Sequence, residues 1–210
     1  MGTQMFKSHA CSSVLYVYPT NVVKTDELIR RSVFDYLLSF GHSSDTLHFD
    51  VLKYDKGKPY IEGLDDVFVS VTHSGEYCII AVASCQIGAD LQSHDRLKFE
   101  TESEALERYL KLAKRFFHPD EYEYVKRDPL NRFFDVWCAK ESFVKYTGEG
   151  IDDTFWTYSG LSDNGNNTCY HWGKLGVFFN IIDFRSSYTL CLCSTEPVTV
   201  KFIYNEIVTE

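Results

Sequence analysis

The chain has 210 residues, of which 44% are hydrophobic and 24% are charged. This composition excludes a disordered chain, and the length is sufficient to bury a sizeable core. The formal net charge of −9 argues against a broad nucleic-acid-binding surface, because such a surface needs a basic field. We therefore expect a folded protein that does not bind nucleic acid.

Cysteine usage and the lack of long apolar runs indicate the compartment. The seven cysteines include no CxxC pair, and several lie in apolar runs such as residues 77–83. Buried free thiols in a reducing cytosol explain this pattern better than disulfides do. No apolar run approaches the roughly 18 residues of a membrane span, and the N-terminus shows no signal-peptide pattern. We expect a cytoplasmic protein without membrane association.

The first half of the chain predicts a strand, a helix and several further strands. A strand at residues 15–18 precedes a helix over residues 26–40, which Thr25 would cap and Gly41 would end. Apolar and alternating runs separated by glycine and proline predict the later strands. They cover residues 47–54, 67–73, 77–84 and 86–91.

The second half predicts helices followed by strands. Helices are expected over residues 103–117, from Pro119 onward, and over residues 129–146 with Gly148 as the stop. Strands follow at residues 154–158, 169–172, 176–182, 188–193 and 198–204, with a turn at 162–167. This order indicates an α+β fold. It divides into two halves of similar size, residues 1–100 and 101–210.

Two segments could bind an anion. Gly57-Lys58-Pro59 is a turn whose lysine is most often simply solvated. Thr72-His73-Ser74 ends a strand, and its hydroxyls, backbone N–H groups and imidazole suit an anion. A hydrogen-bonded structural histidine is the alternative explanation for His73.

Two further segments carry candidate metal chemistry. Asp90 and Gln92 lie on one face of a strand, and an aspartate in an apolar strand is costly unless it is paired or metal-bound. Glu141 and Lys145 share one face of a helix, with Lys140 at its edge. A carboxylate beside ammonium groups fits phosphoryl-group chemistry. A solvated, ion-paired helix face is the default alternative.

Taken in order, these segments resemble the 4′-phosphopantetheinyl transferases, in particular the single-chain type that activates surfactin synthetase. The matching segments are Gly57-Lys58-Pro59, Thr72-His73-Ser74, Gly88-Ala89-Asp90, Phe116-Phe117 with Glu121, and Trp137 to Lys145. The resemblance covers about residues 55–150. It implies two similar α+β halves related by a pseudo-twofold, with coenzyme A bound in the cleft between them.

The resemblance also implies an activity of the holo-acyl-carrier-protein synthase type. The phosphopantetheine arm of coenzyme A would be transferred to a serine hydroxyl of an apo acyl or peptidyl carrier protein, with release of 3′,5′-ADP. Mg²⁺ would be the metal cofactor and coenzyme A the co-substrate. A monomer is expected because both halves lie in one chain. The resemblance does not distinguish between carrier proteins of fatty-acid, polyketide and nonribosomal peptide synthesis.

The same resemblance assigns roles to individual residues. Asp90 and Glu141 would bind Mg²⁺, whereas Gln92 stands where many members have glutamate, so its direct ligation is left open. Lys145 would assist the departing ADP, and Glu141 or Glu121 would take the serine proton. The contacts to coenzyme A would be Thr72, His73, Lys140 and Lys145 at the phosphates, Lys58 and Pro59 at the nucleotide, and Arg31 or Arg30 at the 3′-phosphate.

Two other functional classes remain as alternatives. A degenerate relative would bind coenzyme A or a carrier without transfer, although the presence of Asp90, Glu141 and Lys145 counts against it. A metal-dependent phosphohydrolase would use the same carboxylates to direct a water molecule, rather than a serine, at the phosphate.

For the carrier protein, apolar contact is expected to supply most of the binding affinity, helped by a basic strip. That strip is Lys111, Lys114 and Arg115.

Overall fold

The computed structural model describes residues 11–20, 24–94, 101–151, 155–160, 169–172 and 176–205. The helices within these ranges are α1 (Thr25–Ser39), α2 (Glu102–Phe116), α3 (Pro119–Lys126) and α4 (Pro129–Thr147). The strands are β1 (Cys11–Pro19), β2 (Asp50–Lys53), β3 (Pro59–Glu62), β4 (Phe68–Ser74), β5 (Tyr77–Ala83), β6 (Ile87–Ser93), β7 (Cys169–Trp172), β8 (Val177–Phe184), β9 (Tyr188–Ser194) and β10 (Val198–Tyr204). In this part of the chain, no helix has the length and apolar character needed to cross a membrane.

The strands form three sheets. The first has the order β10-β1-β5-β4, the second is the β2-β3 hairpin, and the third has the order β6-β9-β8-β7. Strands β1 and β10 run parallel, and the other pairs run antiparallel. The α+β fold class is therefore confirmed. The pseudo-twofold relation between two halves stays a prediction.

Two strands pair with strands from the other side of the predicted boundary at residue 100. β6 precedes this boundary but pairs with β9 in the third sheet. β10 follows the boundary but pairs with β1 in the first sheet. Each large sheet therefore contains a strand from the other predicted half, and the division into halves stays a prediction.

The two large sheets are stacked between helices. One face of the first sheet packs against α1, where Ile29 and Val33 are fully buried beside Tyr16 and Ile80. Its other face shares a core with β6 and β9. The far side of the third sheet packs against α4 through Cys138, Ala139 and Phe143 of the helix. Helices α2, α3 and α4 enclose a separate aromatic cluster. This arrangement places β6 between the first sheet and α4.

Two sequence predictions about local structure are wrong, and one strand was missed. Thr25 does not cap α1, because the N-cap residue is Lys24 and it has no side-chain cap bond. Residues 155–157 form a turn rather than a strand. The strand β3 was not predicted, since Pro59 at its first position is typical of a turn. The predicted turn at 162–167 lies outside the described residues.

The prediction that the cysteines are free thiols holds only in part. Cys11 and Cys85 form a disulfide with a Cα–Cα distance of 5.8 Å. The pairing of β1 with β5 brings the start of β1 next to the turn after β5, which explains how residues so distant in sequence meet. The described free thiols are all buried, and they are Cys78, Cys138, Cys191 and Cys193.

Candidate functional site

Asp90 of β6 and Lys145 of α4 form the centre of the candidate site. The Lys145 Nζ donates a hydrogen bond to Asp90 Oδ1 at 2.7 Å. The Asp90 side chain is only 4% exposed, and the Lys145 side chain is 31% exposed. The structure thus joins the strand motif and the helix motif that the sequence singled out separately.

Gln92 lies beside Asp90 and carries an unpaired oxygen atom. Its Nε2 donates to Asp90 Oδ2 at 2.9 Å, whereas its Oε1 is buried and has no hydrogen-bond partner among the described residues. An unpaired buried carbonyl oxygen costs free energy. A hard cation or a water bound to it would satisfy this atom. The Asp90–Gln92 pair therefore fits a Mg²⁺ ion.

Glu141 belongs to the face of α4 that meets β6. Cys138, three residues before Glu141, is buried close to Asp90; burial raises the pKa of its thiol, and the charge of Asp90 adds to this effect. Lys145, four residues after Glu141, contacts Asp90 directly. Positions three and four apart share a helix face, so this spacing places Glu141 on the face of α4 that carries Cys138 and Lys145. No group of three His, Cys, Asp or Glu side chains in the described ranges forms a metal-binding cluster.

Thr72 and His73 project from opposite faces of the first sheet, as successive strand residues do. Thr72 is 2% exposed, and its Oγ1 accepts a hydrogen bond from the Leu91 backbone N–H at 2.8 Å. It also lies 3.4 Å from Asp90 Oδ1. His73 is exposed on the other face, the one that packs against α1. Only Thr72 therefore joins the Asp90 site.

The two arginines of α1 have different surroundings. Arg30 donates to the Phe49 carbonyl at 2.8 Å and to Asp50 at 3.3 Å, so it fastens α1 to β2. Arg31 is exposed. Because α1 packs on the face that carries His73, the structure places Arg31 and His73 on the same side of the first sheet.

Lys58 and Pro59 line two neighbouring cavities of about 370 and 220 Å³. The Lys58 Nζ donates to the Tyr146 carbonyl near the end of α4, and burial lowers the pKa of Lys58 to about 8. Gln86 donates to the same carbonyl at 2.9 Å. The β2-β3 hairpin is thus fastened to α4 beside the larger cavity. Sequence reasoning missed Gln86, since no local pattern marks a contact with a residue 60 positions away.

A third cavity of about 260 Å³ opens next to Gln92. Its wall is mostly aromatic and aliphatic, with Arg108 as its charged member. The lining residues are Gln92, Arg108, Tyr109, Leu112, Phe116, Phe133, Phe134 and Trp137. Helix α2, which carries the exposed basic strip Lys111, Lys114 and Arg115, forms one side of this cavity.

Lys140 forms a buried ion pair with Glu121. The Nζ–Oε2 distance is 3.0 Å, and both side chains are 0% exposed. Lys140 also donates to the carbonyls of Phe155 at 2.6 Å and Tyr158 at 2.7 Å. Burial lowers the pKa of Lys140, and the charge of Glu121 opposes this. The three N–H groups of Lys140 are used inside the protein, which does not fit the predicted phosphate contact.

Glu121 is equally enclosed. Its Oε1 accepts from the Gly160 N–H at 2.9 Å, and its Oε2 accepts from the His118 N–H at 3.0 Å. Burial raises the pKa of Glu121, and the charge of Lys140 opposes this. The carboxylate caps α3 and joins it to α4 and residues 155–160. This position does not fit the predicted alternative role as the base that takes the serine proton.

Comparison with known proteins identifies the family. Residues 86–193 match the model of the 4′-phosphopantetheinyl transferase superfamily. This region runs from the turn before β6 into β9, so it contains Asp90, Gln92, Glu141 and Lys145.

Several curated relatives carry the same name. A 4′-phosphopantetheinyl transferase of Bacillus subtilis is 30% identical over 178 residues, 82% of this chain and 72% of the relative. The transferase psf-1 of Bacillus pumilus is 28% identical over 155 residues, 70% of this chain and 61% of the relative. The transferase Sfp of Bacillus subtilis strain 168 is 34% identical over 109 residues, 50% of this chain and 43% of the relative.

The extent of these matches differs between relatives. The chain spans less than two thirds of psf-1 and of Sfp, and it spans more of the first relative. The family match covers about half of the chain and includes both motifs that form the Asp90–Lys145 contact. On this evidence, the chain belongs to the 4′-phosphopantetheinyl transferase superfamily.

Proposed function

We propose that this protein transfers the 4′-phosphopantetheine arm of coenzyme A to a serine hydroxyl of an apo acyl or peptidyl carrier protein, releasing 3′,5′-ADP. The observation that carries the proposal is the buried Asp90 carboxylate bonded to Lys145, with the unpaired Gln92 oxygen beside it. The names of the relatives support the reaction type.

The reaction exchanges one P–O bond for another. The carrier serine oxygen forms a bond to the β-phosphorus of coenzyme A, and the bond from that phosphorus to the bridging oxygen breaks. The bridging oxygen leaves with its electron pair as part of 3′,5′-ADP. In this proposal the Lys145 ammonium stabilises the charge on the leaving phosphate, and Glu141 accepts the serine proton.

Asp90, Glu141 and Gln92 are the residues that would hold Mg²⁺. Their hard oxygen atoms suit this ion, and Gln92 contributes a neutral amide oxygen in place of a third carboxylate. When bound, Mg²⁺ would neutralise the charge of the pyrophosphate. We propose that Lys140 and Glu121 act indirectly, since their buried ion pair fixes α4 against α3 and residues 155–160.

The surrounding cavities suit the parts of the substrate. The cavity of about 370 Å³ beside Lys58 has a wall of aromatic, aliphatic and polar side chains, which suits a nucleotide with its flat base and polar sugar. We assign the 3′-phosphate to Arg31 and His73, which are exposed on the same side of the first sheet. The cavity beside Gln92 has an apolar wall, which suits a pantetheine arm made of methylene and amide groups. The exposed basic strip on α2 is our proposed approach side for an acidic carrier.

The test is transfer to a panel of purified apo carriers from fatty-acid, polyketide and peptide synthesis, with coenzyme A and Mg²⁺. We expect at least one carrier to gain the mass of one phosphopantetheine arm, with equimolar 3′,5′-ADP. Binding of coenzyme A without modification of any carrier would indicate a degenerate relative. Release of phosphopantetheine in the absence of a carrier would indicate a phosphohydrolase.

A further inference from the structure

Three hydroxyl groups of β4 join the first sheet to β6. Ser70 Oγ accepts a hydrogen bond from the Ala89 N–H at 2.9 Å, and Ser74 Oγ accepts one from the Ser93 N–H at 2.9 Å. Between them, Thr72 Oγ1 accepts from the Leu91 N–H at 2.8 Å. We call these three bonds the hydroxyl ladder.

The hydroxyl ladder follows from the two-residue period of a strand. Residues 70, 72 and 74 point to one face of the first sheet, and the N–H groups of residues 89, 91 and 93 point to one edge of β6. In the described sheets β6 pairs with β9 on its other edge. Side-chain oxygens thus take the place of a neighbouring strand's carbonyl groups, so these buried N–H groups are satisfied. The three rungs are chemically equivalent in this respect.

The middle rung differs from the other two because it also reaches the candidate site. A threonine hydroxyl has one proton and two lone pairs. The ladder bond uses a lone pair, which leaves the proton for Asp90 Oδ1 at 3.4 Å. The same Oδ1 accepts from Lys145 at 2.7 Å, and Gln92 donates to Oδ2. Among the described residues, Thr72 therefore joins Lys145 and Gln92 as a donor to a carboxylate that is only 4% exposed.

Threonine is better suited than serine to holding this proton in place. Its β-branched side chain has a restricted χ1 angle, and Thr72 is 2% exposed. The ladder bond to Leu91 fixes the position of the oxygen. The O–H group consequently has few directions available besides the one toward Asp90.

We infer that Thr72 is a positioning residue, which orients the Asp90 carboxylate for a divalent cation through its O–H while its oxygen fastens β4 to β6. The inference rests on the proposed function, because it takes Asp90 to be a metal ligand. It replaces the phosphate contact that the sequence predicts for Thr72. The 3.4 Å contact is long for a hydrogen bond. Its loss should therefore weaken metal binding by an amount at the lower end of the range for residues that orient metal ligands.

The ladder itself supplies matched controls. Thr72→Val removes the hydroxyl at constant shape, and Ser70→Ala and Ser74→Ala each remove an equivalent rung that does not touch Asp90. Manganese binding is measured by electron paramagnetic resonance on the full chain with coenzyme A and without a carrier. The melting temperature of each variant is measured in parallel, since every lost rung leaves one buried N–H unpaired.

We expect Thr72→Val to raise the dissociation constant of Mn²⁺ about tenfold. Ser70→Ala and Ser74→Ala should lower the melting temperature by a similar amount but leave Mn²⁺ binding unchanged. Thr72→Ser keeps the hydroxyl and should therefore retain most of the Mn²⁺ affinity. If the valine variant does not fold, Thr72→Ala is compared with Thr72→Ser instead. Equal Mn²⁺ binding by the Thr72 and Ser74 variants would overturn the inference. A wild-type protein that binds Mn²⁺ but modifies no carrier would instead contradict the proposed transfer activity alone.

Discussion

Gly88 of β6 lies directly against the backbone of α4 at Ser142. A Cβ atom on residue 88 would collide with the Ser142 carbonyl oxygen and with the backbone nitrogen of Tyr146. Because both are backbone atoms, no side-chain movement would relieve the collision. The absence of a side chain at residue 88 lets α4 approach β6 closely enough for Lys145 to reach Asp90.

We expect Gly88→Ala to displace α4, with a loss of at least about 1–3 kcal/mol in the free energy of unfolding and loss of transfer. Urea unfolding and a transfer assay measure the two effects. The control is Gly160→Ala, whose added Cβ would lie 3.5 Å from the Phe179 ring in ordinary contact. Similar losses in both variants would contradict the explanation by close approach.

Local periodicity in the sequence predicted each of the two motifs of the candidate site separately, but not the contact of Asp90 with Lys145, which lies 55 positions away. Strand alternation places Asp90 and Gln92 on one face, and helix periodicity places Glu141 with Lys145. The surroundings of Lys140 were not predictable in this way. Periodicity assigns a residue to a helix face but does not say what covers that face. Here the covering segment is residues 155–160, which the sequence pattern assigned in part to a strand.

The disulfide shows the same limit. Cys11 and Cys85 are 74 residues apart, and their approach depends on the register of β1 against β5. That register is set by which apolar faces are buried together. The residues next to each cysteine in the sequence do not indicate it. The order of the predicted strands and helices, by contrast, was sufficient to predict the α+β fold.

Glu141→Gln should abolish transfer while leaving the melting temperature close to that of the wild type. The amide has a similar shape, but it cannot accept the serine proton and carries no charge for a metal ion. Glu149→Gln is the control, because Glu149 is exposed just beyond α4. Transfer and thermal unfolding are measured on all three proteins. Full activity of the Glu141 variant would remove Glu141 from the proposed mechanism.

Lys140→Met should destabilise the protein by about 3–5 kcal/mol, because it leaves the Glu121 carboxylate buried without its cation. Denaturant unfolding gives this value. Lys126→Met breaks an exposed pair with Glu123 and should change stability little. A Lys140 variant of normal stability with a raised KM for coenzyme A would instead support the phosphate contact predicted from the sequence.

Reduction of the Cys11–Cys85 disulfide should lower the melting temperature. Closing a loop of this length stabilises a protein by about 4 kcal/mol in the chain-entropy estimate. The double variant Cys11→Ser with Cys85→Ser should melt like the reduced wild type and should not respond to dithiothreitol. Calorimetry with and without the reductant measures both effects. A wild type insensitive to the reductant, with all its thiols free by mass spectrometry, would contradict the bond.

The stability of the protein should depend on the protonation of Asp135. The pKa of this carboxyl is raised to about 6, chiefly by burial; the Tyr124 hydroxyl and Arg132 lower it, whereas the nearby Asp183 and Asp128 contribute to the increase. The folded protein therefore holds the proton more tightly than the unfolded chain does. The stabilisation from this group is present below the unfolded pKa of about 4 and is lost as the pH rises through 6.

Asp135→Asn removes this titration but keeps an oxygen for Tyr124. The melting temperature of the variant minus that of the wild type should increase between about pH 4 and pH 6 and be level above that range. Thermal scans at half-unit steps of pH measure this difference. A difference that is constant across the series would show that Asp135 has an ordinary pKa in the folded protein.

The hydroxyl ladder also has a consequence for the order of assembly during synthesis. Residues 188–194, which form the strand partner of β6, leave the ribosome about a hundred residues after β6 itself. The hydroxyls of Ser70, Thr72 and Ser74 have already been made when β6 emerges. The β4–β6 contact closes a short loop, which costs less chain entropy than the later pairing with β9. The two strands that bring Thr72 and Asp90 together are therefore synthesised before Lys145 of α4 and before the remaining strands of the third sheet.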